Sequence, residues 1–209
     1  MSNFPNGYVD ATKPLNADAL DQTSADGLAK LAEEGYEVHV GLTEELAEQI
    51  IQMALEPNIR EYCPNDCAQR FKDMASISEW LAKRRAMFVL LKRDENDELI
   101  LAGYGWAGDG ASEHVPGGET TFAIRIGDIA QGQGLAAPFA WLIVAGSAVL
   151  FQAHKYWLET WASNAGAVHI YHKIGFKDIA QEASQRPTQA GGIVEDTRLY
   201  MSLDDQLLP

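Results

Sequence analysis

Tyr36 to Val40 (YEVHV) alternates apolar and polar positions, the period of a strand with one buried face. Thr43 then stands where a helix N-cap belongs, and Glu44 and Glu45 occupy the first turn, where the helix dipole favours acids. Leu46, Ile50, Met53 and Ala54 follow as a helical apolar stripe that stops before Pro57. Residues 57–75 show no period and read as irregular. Ser76 to Arg85 predicts a short helix, Ala86 to Leu91 (AMFVLL) a strand, and the charged run KRDENDE a turn into a return strand over Leu99 to Trp106. After a glycine-rich loop, Thr120 to Ile126 (TTFAIRI) is a strand, Leu135 to Phe151 a helix, Tyr156 to Trp161 a strand and Ala165 to Ile174 a helix. Phe176 to Ala180 and Thr197 to Leu203 are strands joined by a polar loop. The order β-α-α-β-β-β-α-β-α-β-β is a mixed α/β (α+β) pattern without internal repeats. Residues 1–35, broken by Pro5 and Pro14, read as an N-terminal extension with at most a short helix over 26–34, and 36–209 as the domain.

Leu135 to Phe151 is 17 residues without a charge and without a polar face. A membrane-spanning helix needs about 20 such residues, and shorter runs are more often buried core. With Pro138 in its first turn and Gly146 inside, it reads as a helix covered on all sides. Either the N-terminal arm covers its outer face, or a second subunit does, giving a homodimer through 135–151.

Composition narrows the partners. With 209 residues, 46% hydrophobic and 22% charged, the chain can bury a core without staples. Its formal charge of −14 argues against a nucleic acid or an anionic membrane. More than half of that charge lies in residues 1–50, where 10 acids meet 2 basic residues. No basic segment followed by an apolar core opens the chain, and two cysteines make no disulfide framework, so a cytoplasmic location is expected. Cys63 and Cys67 lack the second pair of a zinc site and read as free thiols.

The turn GDIAQGQG carries the clearest chemistry. Gly127, Gly132 and Gly134 fall within eight residues between a strand and a helix. Glycine admits positive φ and close approach, and the first amides of the next helix lack internal partners, so such a turn suits a phosphate. It is not a Walker loop, because no Lys-Ser/Thr follows, and Ala137 stands where a dinucleotide fingerprint needs glycine. An ordinary strand–helix connection would carry the same glycines.

Two blocks resolve that choice by resemblance. Gln131-Gly132-Gln133-Gly134-Leu135-Ala136 resembles the Q/R-x-x-G-x-G/A signature of the GCN5-related N-acetyltransferases (GNAT family), and Asn164, Ala167, Tyr171, Lys173 and Gly175-Phe176 resemble the family's N-x-x-A-x-x-x-Y-x-K-x-G-F. The resemblance covers roughly residues 36–203. It implies the GNAT fold: a central, mostly antiparallel sheet of six to seven strands flanked by helices, splayed between the strands 120–126 and 156–161. It implies acetyl-CoA as cosubstrate and an amine acceptor, a small molecule or a peptide N-terminus. Amides of Gly132 to Ala136 would hold the diphosphate, with Gln131 and Gln133 in the same turn, and Ile124 and Ile126 would pair with the pantetheine amides. Asn164 would bond the cofactor arm or order the site. Lys173 would meet a phosphate or solvent, and Arg125 would pair with an acid or touch the bound molecules.

The same resemblance assigns Tyr171 as general acid to the departing thiolate, against a plain packing role. Glu159 is the candidate base, a carboxylate mid-strand among apolar neighbours, where partial burial would raise its pKa. Alternatives are a salt-bridged Glu159, an acid from the loop (Glu113, Glu119, with His114 beside them), or ordered water. Trp157 and Trp161 would wall the acceptor side if alternation places them there, and His169 and His172 read as ordinary histidines. A catalytically silent, acyl-CoA-binding module and a membrane-associated protein are the competing functional readings.

Overall fold

The computed structural model describes residues 12–188 and 190–204. Residues 1–11 of the extension and the last five of the chain lie outside that range.

A single eight-stranded sheet runs in the order β1-β2-β3-β4-β5-β6-β8-β7. The strands are β1 (Lys13–Pro14), β2 (Tyr36–Val40), β3 (Arg85–Arg93), β4 (Leu99–Asp109), β5 (Thr120–Ile126), β6 (Lys155–Trp161), β7 (Lys177–Pro187) and β8 (Ile193–Asp204). Every neighbour pair is antiparallel except β5–β6. The sheet exceeds the expected six to seven strands by β1, two residues that pair with Val40 and His39.

Helices cover both faces, so the central strands are apolar on both sides. On β3, Phe88 and Leu90 point to one core and Met87, Val89 and Leu91 to the other. The first core lies under α1 (Gln22–Glu33), α5 (Ala136–Phe151) and α6 (Ala165–Lys173). The second lies under α2 (Glu44–Met53), α3 (Pro57–Tyr62) and α4 (Met74–Leu81). Thr43 caps α2 by accepting from the Leu46 amide at 3.2 Å, as its sequence predicts.

Three segments differ from the sequence expectation, the first being the extension, where β1 and a helix starting at Gln22 replace at most a short helix over 26–34. Residues 57–75 are not irregular: Pro57 opens α3, and Asp66–Arg70 forms one turn of π-helix. Short helices of this kind carry too few turns to show a period. The polar stretch expected as a loop is mostly strand, because β7 and β8 extend as a hairpin through Pro187 and Ile193. Its side chains are polar on both faces and its order is backbone pairing, reinforced by buried Arg186 between Asp196 (2.8 Å) and Glu61 (3.1 Å).

Helix α5 sits in the middle of the first core. At Gly146 an added Cβ would fall 2.8 Å from Phe88 and 3.2 Å from Leu15, so strand and arm both approach the helix closely. Leu15, Leu20, Leu28 and Leu31 of the N-terminal segment pack on the same cluster, which makes the arm one cover of this helix. Val149 and Leu150 at its end stay exposed. Among the described residues no helix is long and apolar enough to cross a membrane.

Candidate functional site

Strands β5 and β6 pair only at Thr120–Tyr156 and Thr121–Trp157, and their ladder then stops. The gap beyond is the expected splay, and it opens into a cleft of about 870 Å³. Its position follows from β5. The Gly127 amide donates to Ala102 at 2.9 Å, and with the β4–β5 register this makes 125 and 123 the hydrogen-bonded partners of β4. The backbone groups of Phe122, Ile124 and Ile126 therefore face the gap.

The turn after β5 forms one end of the cleft. Gly132 (φ +73°) and Gly134 (φ +78°) both take the left-handed conformation, with open space where a Cβ would stand. Leu135 begins α5 without a side-chain cap. Its first amides thus point outward at the positive end of the helix. Gly132, Gly134, Leu135 and Ala136 all line the cleft. The turn is clamped from outside. Asn58 donates to Asp128 (3.3 Å) and Gln131 (3.0 Å), and the Asp128 amide donates to Glu56 at 2.9 Å. Burial raises the pKa of the Glu56 carboxyl. The Gln131 side chain also donates to the Ile126 carbonyl at 3.3 Å. Gln133 lies outside the cleft: it accepts from the Tyr36 hydroxyl at 2.7 Å and donates to the Ile129 carbonyl at 2.8 Å, tying the turn to β2.

Asn164 caps α6, accepting from the Ala167 amide at 3.3 Å, and lines the cleft at the mouth of that helix. The N-x-x-A spacing is thereby a cap motif as well as a site motif. Tyr171, one face further along α6, is buried at the cleft wall, its ring edge-on to Phe122 at 6.1 Å. Burial pushes its hydroxyl up to about 12, against the opposing pull of Arg125. Lys173 is exposed outside the cleft.

Glu159 reaches the cleft from β6 with 43% of its side chain exposed, 3.7 Å from Arg198 on β8. The rest of its side chain is covered, and Arg198 is the kind of partner that the salt-bridged alternative requires. Trp157 lines the cleft and its indole donates to the Gly110 carbonyl. Trp161 does not line it: the Arg198 guanidinium lies 3.5 Å above its ring. Glu113, His114 and Glu119 stay outside, with His114 stacked on Tyr200 at 4.0 Å. His169 is exposed at the cleft, and His172 bonds Asp178 at 2.9 Å. No cluster of metal-ligating residues exists among the described residues. Cys63 and Cys67 are free thiols, and burial raises Cys63 to about 11.

One feature is invisible in the sequence pattern. Asp66, on the π-turn, is wholly buried and accepts from Arg125 Nε (2.8 Å), Arg70 Nη1 (2.9 Å) and the Tyr104 hydroxyl (3.0 Å). Burial alone would lower the Arg125 pKa, and Asp66 reverses this and raises it. A second donation from Arg125 Nη1 reaches the Ile124 carbonyl at 2.7 Å. Arg125 therefore orders the C-terminal end of β5. Trp80, Trp106, Arg70 and Arg85 wall the same end of the cleft. An aspartate in a stretch without period gives no signal of this role; only the three donors around it do.

Scans against family models and curated proteins return no match. Among solved structures the chain is similar to spermidine N-acetyltransferase from Vibrio cholerae in complex with CoA and spermine, at 18% identity and a TM-score of 0.64, over 83% of this chain and 97% of that one. It is similar to an acetyltransferase of the GNAT family from Streptococcus pneumoniae, at 15% identity and a TM-score of 0.59, over 80% and 99% of the two chains. A GNAT-family acetyltransferase from Bacillus anthracis matches at 14% identity and a TM-score of 0.58, over 81% and 95%. A parted β5–β6 pair, a glycine turn at the head of α5 and an aligned course over more than four-fifths of the chain lead to one conclusion: this protein has the fold of the GCN5-related N-acetyltransferases.

Proposed function

We propose that the protein moves an acetyl group from acetyl-CoA to an amine. The observation that carries the reading is the open glycine turn at the uncapped head of α5, beside a strand edge whose backbone faces a gap. These groups fit the donor along its length. Outward amides of Gly132 to Ala136 suit a diphosphate. The edge at Ile124 and Ile126 suits the pantetheine amides, which would extend the sheet as an added strand. CoA itself supplies the activated thioester.

The chain's own residues then handle protons. The acceptor must attack as a neutral amine, so its proton has to leave. Glu159, partly exposed at the rim, can take that proton directly or through one water. Tyr171 keeps its proton far above neutral pH and is the donor for the departing sulfur. Arg125, fixed by Asp66, holds β5 in place between the two.

The test is thiol release from acetyl-CoA with a panel of amines, beside a thermal-shift titration with acetyl-CoA. A hundredfold excess over Kd stabilises by about 2.7 kcal/mol. Tyr171→Phe is expected to lower kcat by roughly 10²–10⁴, with acetyl-CoA affinity kept. Glu159→Gln is expected to lower kcat/KM most at low pH, where fewer acceptor amines are neutral. Binding without thiol release under any amine would mark a silent acyl-CoA module, and no thermal shift would remove the proposal.

A further inference from the structure

The cleft is lined by arginines, in a protein whose net charge is −14. Arg70, Arg85, Arg125 and Arg198 line the cleft. Two carboxylates answer them. Asp66 takes both Arg70 and Arg125, and Glu159 stands 3.7 Å from Arg198. Arg85 has neither.

Arg85 is 9% exposed, and its Nε and Nη1 are buried without a hydrogen-bond partner. Its guanidinium lies 5.0 Å from the centre of the Trp80 ring, and that of Arg70 lies at the same distance from the same ring. The Trp80 indole nitrogen is a third buried donor without a partner. The acid that acts on Arg85 from its own sheet edge is Asp109, which is 53% exposed and engaged with Arg84 at 2.8 Å. Burial, together with Arg70, lowers the Arg85 pKa to about 10. An arginine left buried and unpaired is costly, and all three orphan groups are donors. What they lack is an acceptor of hydrogen bonds carrying negative charge.

The diphosphate of CoA does not meet that need. Arg85 pairs with Gly108 on β4, beside Thr120 and Thr121 at the start of β5. The glycine turn follows Ile126, five residues along the strand, or about 17 Å away. Arg85 thus faces the part of the cleft left to the acceptor.

We propose that the acceptor is an amine that also bears a carboxylate, and that Arg85, with Arg70 beside it across Trp80, receives that carboxylate. This rests on the acetyltransferase reading and narrows its substrate class. Arginine matches a carboxylate with two parallel hydrogen bonds, and the indole ring gives the acceptor's carbon skeleton a flat apolar wall. The same lining disfavours a polyamine, whose ammonium groups would be buried beside the unpaired Arg85 guanidinium. The acceptor end therefore differs in charge from what spermine, the ligand of the Vibrio cholerae structure, requires.

The experiment compares amino acids, their carboxamides and spermidine as acceptors for the full-length protein with acetyl-CoA. The carboxylates are expected to exceed their carboxamides in kcat/KM by about 30-fold or more, and spermidine to be the poorest acceptor. Arg85→Met is expected to remove that preference through KM, leaving the KM for acetyl-CoA and the melting temperature near wild type. A separate titration follows the intrinsic tryptophan fluorescence, to which Trp80 and Trp106 contribute, in CoA-saturated and CoA-free protein, in wild type and Trp80→Phe, with the same carboxylates and carboxamides as probes. Turnover of carboxamides or spermidine at an equal or higher kcat/KM overturns the proposal while sparing the transferase reading. So does a folded Arg85→Met protein with its preference intact. Where Arg85→Met does not fold, the wild-type panel decides. If acetyl-CoA does not bind, the transferase reading falls, and the fluorescence titration decides the carboxylate site alone: saturable quenching by carboxylates and not by carboxamides supports it, and none by either overturns it.

Discussion

Asp66 shows how one side chain can organise a cleft it never touches. Its wholly buried carboxylate accepts from two arginines and a tyrosine. Removing it leaves the Arg125 guanidinium nearly buried and unpaired, and the buried Tyr104 hydroxyl without its acceptor. Asp66→Ala is accordingly expected to cost roughly 3–5 kcal/mol, read by urea denaturation, with weakened activity in whatever folded protein remains. Cys63 offers a gentler check on the same neighbourhood. With its thiol at about 11, a far smaller fraction is thiolate at pH 8 than for a thiol at the ordinary value of 9.0. Alkylation by iodoacetamide should run about 100-fold slower than for an unburied cysteine, and raising the pH toward 11 should restore it. Neither residue announced itself along the chain. A lone aspartate and a cysteine in an aperiodic stretch carry no sequence signal, because their properties come from Arg125, 59 positions away from Asp66, and from Tyr104.

The turn between β5 and α5 was legible almost in full. A strand period, glycines at fixed offsets and an apolar helical run are all local properties, and each leaves a local mark. Gly134→Ala tests the element directly. Nothing lies within 4 Å of the added methyl, but φ of +78° costs about 1–2 kcal/mol for any residue with a Cβ. The expected result is weaker acetyl-CoA binding by calorimetry, from a turn whose amides no longer converge. Gly27→Ala, in the middle of α1, has the same open space without the positive φ, and should instead stabilise by about 0.5–1 kcal/mol. The outer part of the β7–β8 hairpin, beyond the strands read at 176–180 and 197–203, was illegible for the opposite reason. Its strands hold by backbone bonds to each other and by Arg186, so hydrophobic alternation, the signal for a strand, is absent.

At the scale of the molecule, the N-terminal segment and α5 belong to one core. An uncharged helix with no polar face must be covered, and α1 with Leu15 supplies cover from within the chain. Leu31 is wholly buried on the α1 side of that contact. Leu31→Ala is expected to cost about 2–5 kcal/mol, measured by urea denaturation, because the site cannot collapse around the missing atoms. Exposed apolar surface on α5 should then show as concentration-dependent association by light scattering.

Asn164 and Tyr171 stood out only through their resemblance to a family signature, whereas most strands, the long helices and the phosphate-ready turn were specified by residue order alone. These follow from backbone period, capping and glycine conformation, which act over a few neighbours. Folding in three dimensions settled the rest: where β5 and β6 part, that Gln133 serves β2 instead of the cleft, that Glu159 meets Arg198 at an exposed rim, and that Asp66 bonds two arginines while Arg85 is left without a hydrogen-bonded acid. Charge balance and solvent exposure depend on groups tens of residues apart, and no local pattern encodes which of them will meet.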